Sequence, residues 1–269
     1  MARRSAKQTA KQTQHKSQPR KRVSPAKPWD WVDVIWVAVA LLVFTLSTAL
    51  LLGNRFTALM PEEGIAGVRV VLLIAFHLAL LTILAYRAHC RNLSFVQAYR
   101  LRSSDRLAND SDEERPGRMP LTGWQSALFV AGFFIVLRTL AGAYTYVTGQ
   151  LGWVTAPSDL TDLFTPTLFG LIAAIISIVI LAPFIEELVF RVIMYDTFAR
   201  KFGIALAVIL QGLIFSLYHF SLWAALPNFL LALACVFLIH RSKTSIPAIV
   251  LHILYNAAVV AAAFYLAMS

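Results

Sequence analysis

Charged residues are scarce in this sequence. Of its 269 amino acids, 14% are Asp, Glu, Lys or Arg, whereas a soluble globular chain carries about 25%. Hydrophobic residues make up 58%, and the mean hydropathy is +0.68, spread over several long apolar runs. This composition excludes a soluble enzyme and, for most of the chain, intrinsic disorder. Because no internal repeat is visible, we expect an all-α, polytopic transmembrane helical bundle of one domain.

Cysteine is almost absent as well. Cys90 and Cys235 are the two cysteines of the chain, so a disulfide framework and a cysteine-based metal cluster are excluded. Neither lies in a polar motif, and we expect both to be inert and remote from any site. The sequence also has no HExxH pattern, which excludes the usual helical zinc-protease motif.

Acidic residues are missing from residues 1–28, which hold nine Lys and Arg among Gln, Ser and Thr. This composition predicts a basic, disordered cytoplasmic tail, followed by a transmembrane domain over 29–269. No aromatic residue precedes Trp29 on which nucleic-acid bases could stack, so we expect membrane lipid as a partner and no nucleic acid.

Apolar segments near 20 residues long predict about seven membrane spans. With the N-terminus inside, 20 of the 24 Lys and Arg residues fall on the cytoplasmic side, as short cytoplasmic loops require. We therefore predict an integral, multi-pass protein of a prokaryotic plasma membrane with a cytoplasmic N-terminus; the oligomeric state is left open. The predicted spans are residues 32–52, 68–88, 125–147, 166–183, 204–221, 225–239 and 246–267.

Ionisable residues inside apolar segments are expensive, so each needs a partner or a purpose. The fourth span continues into an EExxxR pattern formed by Glu186, Glu187 and Arg191. Glu187 and Arg191 are spaced i,i+4 with the acid first, which favours an intrahelical ion pair. Glu186 lies about 100° around the helix and lacks that partner, which makes it a candidate general base. Pro183 removes a backbone donor and is expected to kink or restart this helix.

Two further motifs place polar residues on other helices. Phe215 and His219 form an FxxxH pattern, and His252 and Asn256 form an HxxxN pattern whose side chains share one helix face. Taken alone, His219 fits an interfacial residue, and the pair His252 and Asn256 fits a hydrogen bond between helices. Taken together with the glutamates, they predict a convergent polar site built from three helices.

This set of residues has no obvious protein nucleophile, so water is the expected attacking group. Glu186 and His219 are suited to deprotonating water, while His252 and Asn256 are suited to donating hydrogen bonds to a developing oxyanion. A second interpretation is a zinc site with Glu186, His219 and His252 as ligands and an open position for water. The residue types alone do not choose between them.

The three motifs, in this order and spacing, resemble the CPBP family of intramembrane endopeptidases. That family includes the type II CAAX prenyl proteases of the Ras-converting-enzyme type and the bacterial Abi or bacteriocin-immunity proteins. The resemblance covers roughly residues 165–262. In one departure, Val192 stands where a glycine commonly follows the motif arginine.

The resemblance implies an Abi-type helical fold and an endopeptidase that cleaves a peptide bond near the cytoplasmic leaflet. The substrate implied is hydrophobic or lipidated, of CAAX type or another membrane peptide or protein. No metal is required for the glutamate-dependent mechanism, although zinc is possible. The implied catalytic residues are Glu186, His219, His252 and Asn256, with Glu187, Arg191 and Phe215 in support.

Two other functions are compatible with the same sequence. A non-catalytic scaffold or bacteriocin-immunity protein would use the polar residues to bind a peptide or to stabilise the bundle. A proton-coupled transporter also needs buried carboxylates and histidines, but no inverted repeat is visible. Arg138 inside the third span needs a partner, either structural or a substrate carboxylate, and His77 in the second span is expected to be packed and hydrogen-bonded.

Overall fold

A computed structural model describes residues 29–52, 62–102, 120–153 and 164–268. Within these ranges all regular secondary structure is helical, which confirms the predicted all-α class. The basic tail predicted for residues 1–28 lies outside the described residues, as does the charged part of the loop at 103–119.

The described residues form eight helices, five of which are long and apolar enough to cross a membrane. Two further apolar segments, Trp31–Ser47 and Ile204–Tyr218, are shorter. The protein is thus a multi-pass membrane protein, while the count of about seven spans and the cytoplasmic N-terminus stay predictions. The helices are α1 (Trp31–Leu52), α2 (Glu62–Cys90), α3 (Phe95–Ala98), α4 (Gly123–Gln150), α5 (Leu168–Phe202), α6 (Ile204–Tyr218), α7 (Leu222–Ser242) and α8 (Ile246–Met268).

The outer faces of the bundle are apolar. Leu42 on α1 and Leu128 and Ile135 on α4 each expose more than half of their surface. Such exposure is unfavourable in water but matches a lipid environment, in which apolar side chains face the acyl chains.

Helix α5 carries the glutamate motif and is irregular. It starts where the Thr167 side chain accepts a hydrogen bond from the amide of Gly170 at 3.1 Å. Two π-helical segments, Ile175–Leu181 and Glu187–Met194, interrupt its α-helical course. The helix restarts in α form at Ala182 with Pro183 in the first turn, as the sequence predicted.

The second π-helical segment of α5 is buried throughout, in the core between α1, α6 and α7. Val192, which follows the motif arginine, is fully buried in this core. The chain leaves α5 at Gly203, whose φ of +83° favours glycine and allows α6 to start at once. These features hold the glutamate motif of α5 against the histidine motifs of α6 and α8.

A buried ion cluster ties α1 to α2. The Asp33 carboxylate is fully buried, accepts a hydrogen bond from Arg87 Nη2 at 2.5 Å and pairs with Arg91. Asp30 caps α1 by accepting from the amide of Val32 at 2.9 Å, and its half-exposed side chain lies 2.7 Å from Arg91. Both aspartates therefore contact the same arginine, but only Asp33 is shielded from solvent.

Asp33→Asn is expected to destabilise the protein far more than Asp30→Asn. The first change leaves two arginines beside a neutral amide in a buried place, a loss of about 3 kcal/mol. The second keeps the helix cap, because asparagine caps as well as aspartate, and removes an exposed pair worth less than about 1 kcal/mol. Thermal unfolding of the two variants in detergent checks this difference, and equal melting temperatures would contradict it.

Candidate active site

Glu187 on α5 is fully buried and paired on two sides. Its Oε1 atom lies 2.8 Å from His252 Nδ1 on α8 and 3.3 Å from Arg191 Nη2 one turn along α5. The second contact is the i,i+4 pair expected from the sequence. The carboxylate of Glu187 is thus neutralised by Arg191 and orients the ring of His252.

Phe215 on α6 forms the wall that the three motifs share. The Arg191 guanidinium lies over its ring at 4.0 Å from the centroid, a cation–π contact between two fully buried side chains. The ring of Phe215 also meets His219 at 4.8 Å and His252 at 5.6 Å between centroids. The supporting role that the sequence analysis gave to Phe215 therefore corresponds to contacts with all three motifs.

Glu186 is placed differently from its neighbour. Its side chain is 13% exposed, and its Oε2 atom lies 3.6 Å from His252 Nε2. This oxygen is buried and has no hydrogen-bond partner among the described residues. His252 consequently stands between two carboxylates, with Nδ1 held by Glu187 and Nε2 facing Glu186.

His219 lies at the carboxyl end of α6. Its Nδ1 is 2.8 Å from the carbonyl oxygen of Phe215, so that Nδ1 carries the proton in the neutral ring and Nε2 is the acceptor. Within the described part of the chain, no hydrogen bond joins His219 to Glu186. The two residues are connected indirectly, because the Phe215 ring meets both His219 and His252, and His252 faces Glu186.

Asn256, one turn after His252 on α8, is hydrogen-bonded to α5. Its Nδ2 atom donates to the carbonyl oxygen of Ile178 at 3.0 Å. The amide has two N–H groups, and this contact leaves one of them for other partners. No pattern in the sequence indicated a contact between Asn256 and residue 178.

Two further residues near Glu186 were not predicted as part of the site. His77 on α2 is 3% exposed, with Nδ1 at 2.7 Å from the carbonyl oxygen of Leu73, which confirms the packed and hydrogen-bonded histidine expected there. His77 and Tyr218 also lie within electrostatic range of Glu186. A lone histidine in an apolar span gives no signal of such proximity, because the contact joins helices far apart in sequence.

The expectation that neither cysteine lies near the site is wrong for Cys235. Its buried thiol on α7 lies within interaction range of Glu187 and Arg191, and it donates to the carbonyl oxygen of Ala248 at 3.7 Å. Cys235 thus packs behind the ion pair, on α7. The sequence missed this because α7 carries no motif residue that would mark it as a neighbour of the glutamates.

Arg138 on α4 lies beside α8. Its guanidinium carbon is 5.3 Å from the centroid of the Tyr255 ring, a cation–π contact. This observation supports the structural interpretation of Arg138, since the partner is a residue of the bundle.

The zinc alternative requires Glu186, His219 and His252 to converge on one point. Among the described residues, no group of three or more His, Cys, Asp and Glu side chains is placed to hold a metal ion. Glu186, His219 and His252 therefore do not form a ligand set in this arrangement, and the chemistry proposed for the site is derived without a metal.

The fold and the site together define a polytopic helical membrane protein with a centre of two carboxylates, two histidines and an arginine, of which Glu187, Arg191 and His252 are buried. Residues 168–258, about a third of the chain, match the family described as type II CAAX prenyl endopeptidase Rce1-like. This match includes all three motifs and confirms the resemblance that the sequence showed. No curated protein and no solved structure matches the chain.

Proposed function

We propose that this protein is an intramembrane endopeptidase that hydrolyses a peptide bond by means of a water molecule activated by Glu186. The observation that carries the proposal is the difference in contacts between the two glutamates. Glu187 is fully buried and its Oε1 is committed to Arg191 and His252, whereas Glu186 is partly exposed and no hydrogen bond to its Oε2 is made within the described chain. The match to a protease family supports the same activity.

In the proposed reaction, Glu186 accepts a proton from water as the oxygen attacks the peptide carbonyl carbon. The carbonyl π electrons move onto oxygen, and the C–N bond breaks when the leaving nitrogen receives a proton from the Glu186 carboxylic acid. His219 assists as a second proton acceptor. No bond to the protein is formed, which agrees with the absence of a nucleophile from the three motifs.

His252 is suited to stabilising the oxyanion of this reaction. With Nδ1 donating to Glu187, a proton on Nε2 makes the ring a donor on both sides. Glu187 and Arg191 contribute by holding the ring of His252 and by balancing its charge in a place remote from water.

The substrate class proposed is a hydrophobic or lipidated peptide of CAAX type, or another membrane peptide, cleaved near the cytoplasmic leaflet. The family description supports a CAAX-type substrate, and the predicted cytoplasmic N-terminus places the glutamate motif near that leaflet. A membrane-associated substrate reaches the site through lipid.

Cleavage is expected to persist in the presence of a chelator. Purified protein in detergent would be incubated with CAAX-type and membrane-peptide substrates, with and without chelator, and the products identified by mass spectrometry. Because the proposed nucleophile is water activated by Glu186, removal of divalent cations should leave kcat/KM unchanged. Loss of cleavage on chelation, restored by zinc, would contradict the metal-free mechanism, and no cleavage by folded protein would favour the scaffold function.

A further inference from the structure

The carbonyl group of Ile178 lacks a backbone donor because of Pro183. In the first π-helical segment of α5, hydrogen bonds run from each amide to the carbonyl five residues earlier, as between Ala182 N–H and the oxygen of Ser177. The next donor in this register is the amide of residue 183, whose acceptor is Ile178. Residue 183 is proline and has no N–H.

The side chain of Asn256 supplies the missing donor. Its Nδ2 lies 3.0 Å from the Ile178 carbonyl oxygen and reaches it from α8. In an apolar segment an unpaired carbonyl is unfavourable, since no water is present to bind it. One N–H of Asn256 therefore completes the backbone hydrogen bonding of α5.

Helix α8 consequently holds α5 on both sides of Glu186. Asn256 binds Ile178, eight residues before Glu186, and His252 binds Glu187 directly after it. His252 and Asn256 lie one turn apart on α8, so a single face of this helix makes both contacts. The transition from π-helical to α-helical backbone, which sets the direction of the Glu186 side chain, lies between these two points.

We propose that Asn256 is a positioning residue that replaces the N–H missing at Pro183 and thereby fixes the backbone of α5 that orients Glu186 towards His252. The part of this proposal that concerns activity rests on the proposed function, whereas the part that concerns the α5 backbone does not. It assigns Asn256 a role that a direct oxyanion donor would not have, because its effect passes through the carbonyl of Ile178.

The test is rescue of Asn256→Ala by Pro183→Ala. The first change leaves the Ile178 carbonyl unpaired, and the second restores a backbone N–H in the register that reaches it. We expect Asn256→Ala to lower the melting temperature by several degrees, as loss of a buried hydrogen bond does in a chain of this size. We expect it also to lower kcat about tenfold to 100-fold with little change in KM, since Glu186 is displaced and substrate contacts are not. The double variant should regain both the melting temperature and most of the kcat.

The matched control is Pro227→Ala in the Asn256→Ala background. Pro227 lies inside α7, so its replacement adds a helix-favouring residue and an N–H but none that reaches Ile178. It should rescue neither property. Pro183→Ala alone should have the activity of the wild type, because a carbonyl oxygen accepts two hydrogen bonds.

Each result decides the proposal. Recovery of the melting temperature and of kcat by Pro183→Ala supports it. Recovery of the melting temperature without kcat would overturn the positioning role and assign Asn256 to the reacting oxygen, whose donors are worth about 100-fold to 1000-fold in kcat. Recovery of neither property, or equal recovery with Pro227→Ala, would overturn the proposal entirely.

If Asn256→Ala yields no folded protein, recovery of folded protein in the double variant with Pro183→Ala supports the proposal, and no recovery overturns it. If the wild type cleaves nothing, the proposed function fails while the melting temperatures still test the α5 contact.

Discussion

Glu186→Gln is expected to lower kcat about 1000-fold while leaving the melting temperature unchanged. Glutamine keeps the volume and the hydrogen-bonding oxygen of the side chain but does not accept a proton from water. The change leaves no charge unpaired, because the Arg191 guanidinium pairs with Glu187 and not with Glu186. Cleavage of a CAAX-type peptide under saturating substrate, together with thermal unfolding in detergent, measures both quantities.

A control for this experiment lies directly before Glu186 in the sequence. Ile185→Val changes the same turn of α5 at a buried apolar position and should reduce activity little, since it removes one methylene group. If Glu186→Gln cleaves at the rate of the wild type, the proposed water activation by this carboxylate is wrong. If it cleaves slowly but also melts early, the loss belongs to folding and not to catalysis.

Glu187→Gln is expected to show the opposite behaviour, a destabilisation of about 3–5 kcal/mol. Glu187 and Arg191 are both fully buried, and the guanidinium has no hydrogen-bond partner in the described residues besides this 3.3 Å ion pair. Removing the carboxylate charge leaves the Arg191 guanidinium without a counter-ion among aromatic rings, where water does not solvate it. Chemical or thermal unfolding of the variant against the wild type gives the magnitude.

The double variant Glu187→Gln with Arg191→Met separates the pair from its individual charges. Removing both charges should restore much of the stability that Glu187→Gln loses, because a buried ion pair often contributes little beyond its own desolvation. Activity should stay low in the double variant, since glutamine at 187 still accepts from His252 Nδ1 but supplies no negative charge beside a ring that donates on both sides. A Glu187→Gln protein that melts like the wild type would contradict the buried pair.

The ion pair inside α5 could be predicted from the sequence, and its partners on other helices could not. Residues four apart on one helix are neighbours whatever the rest of the fold does, so Glu187 and Arg191 followed from spacing alone. Which carboxylate each nitrogen of His252 faces depends on how α8 is rotated relative to α5. That rotation is set by packing, and no periodicity in either segment encodes it.

The π-helical segments illustrate a second limit. Pro183 predicted that α5 would restart, but not that the preceding turns would be widened to bonds spanning five residues. A proline is compatible with a kink, a cap or a π segment. Which of these forms depends on the side chain that donates to the carbonyl oxygen for which the proline has no N–H. Here that side chain is Asn256, 78 residues away in the sequence. The all-α class and the motif residues were therefore predictable, while the hydrogen bonds between them required the assembled bundle.

The intrahelical bond of His219 makes the orientation of its ring independent of the contacts between α8 and α5. Contacts of His252 and Asn256 fasten α8 to α5, and sliding one helix past the other would break both. His219, by contrast, is hydrogen-bonded to the carbonyl of Phe215 within its own helix. The Nε2 atom of His219 therefore keeps its direction relative to α6 even when the contacts of α8 with α5 change, so the acceptor for a proton and the residues that hold α5 belong to separate parts of the site.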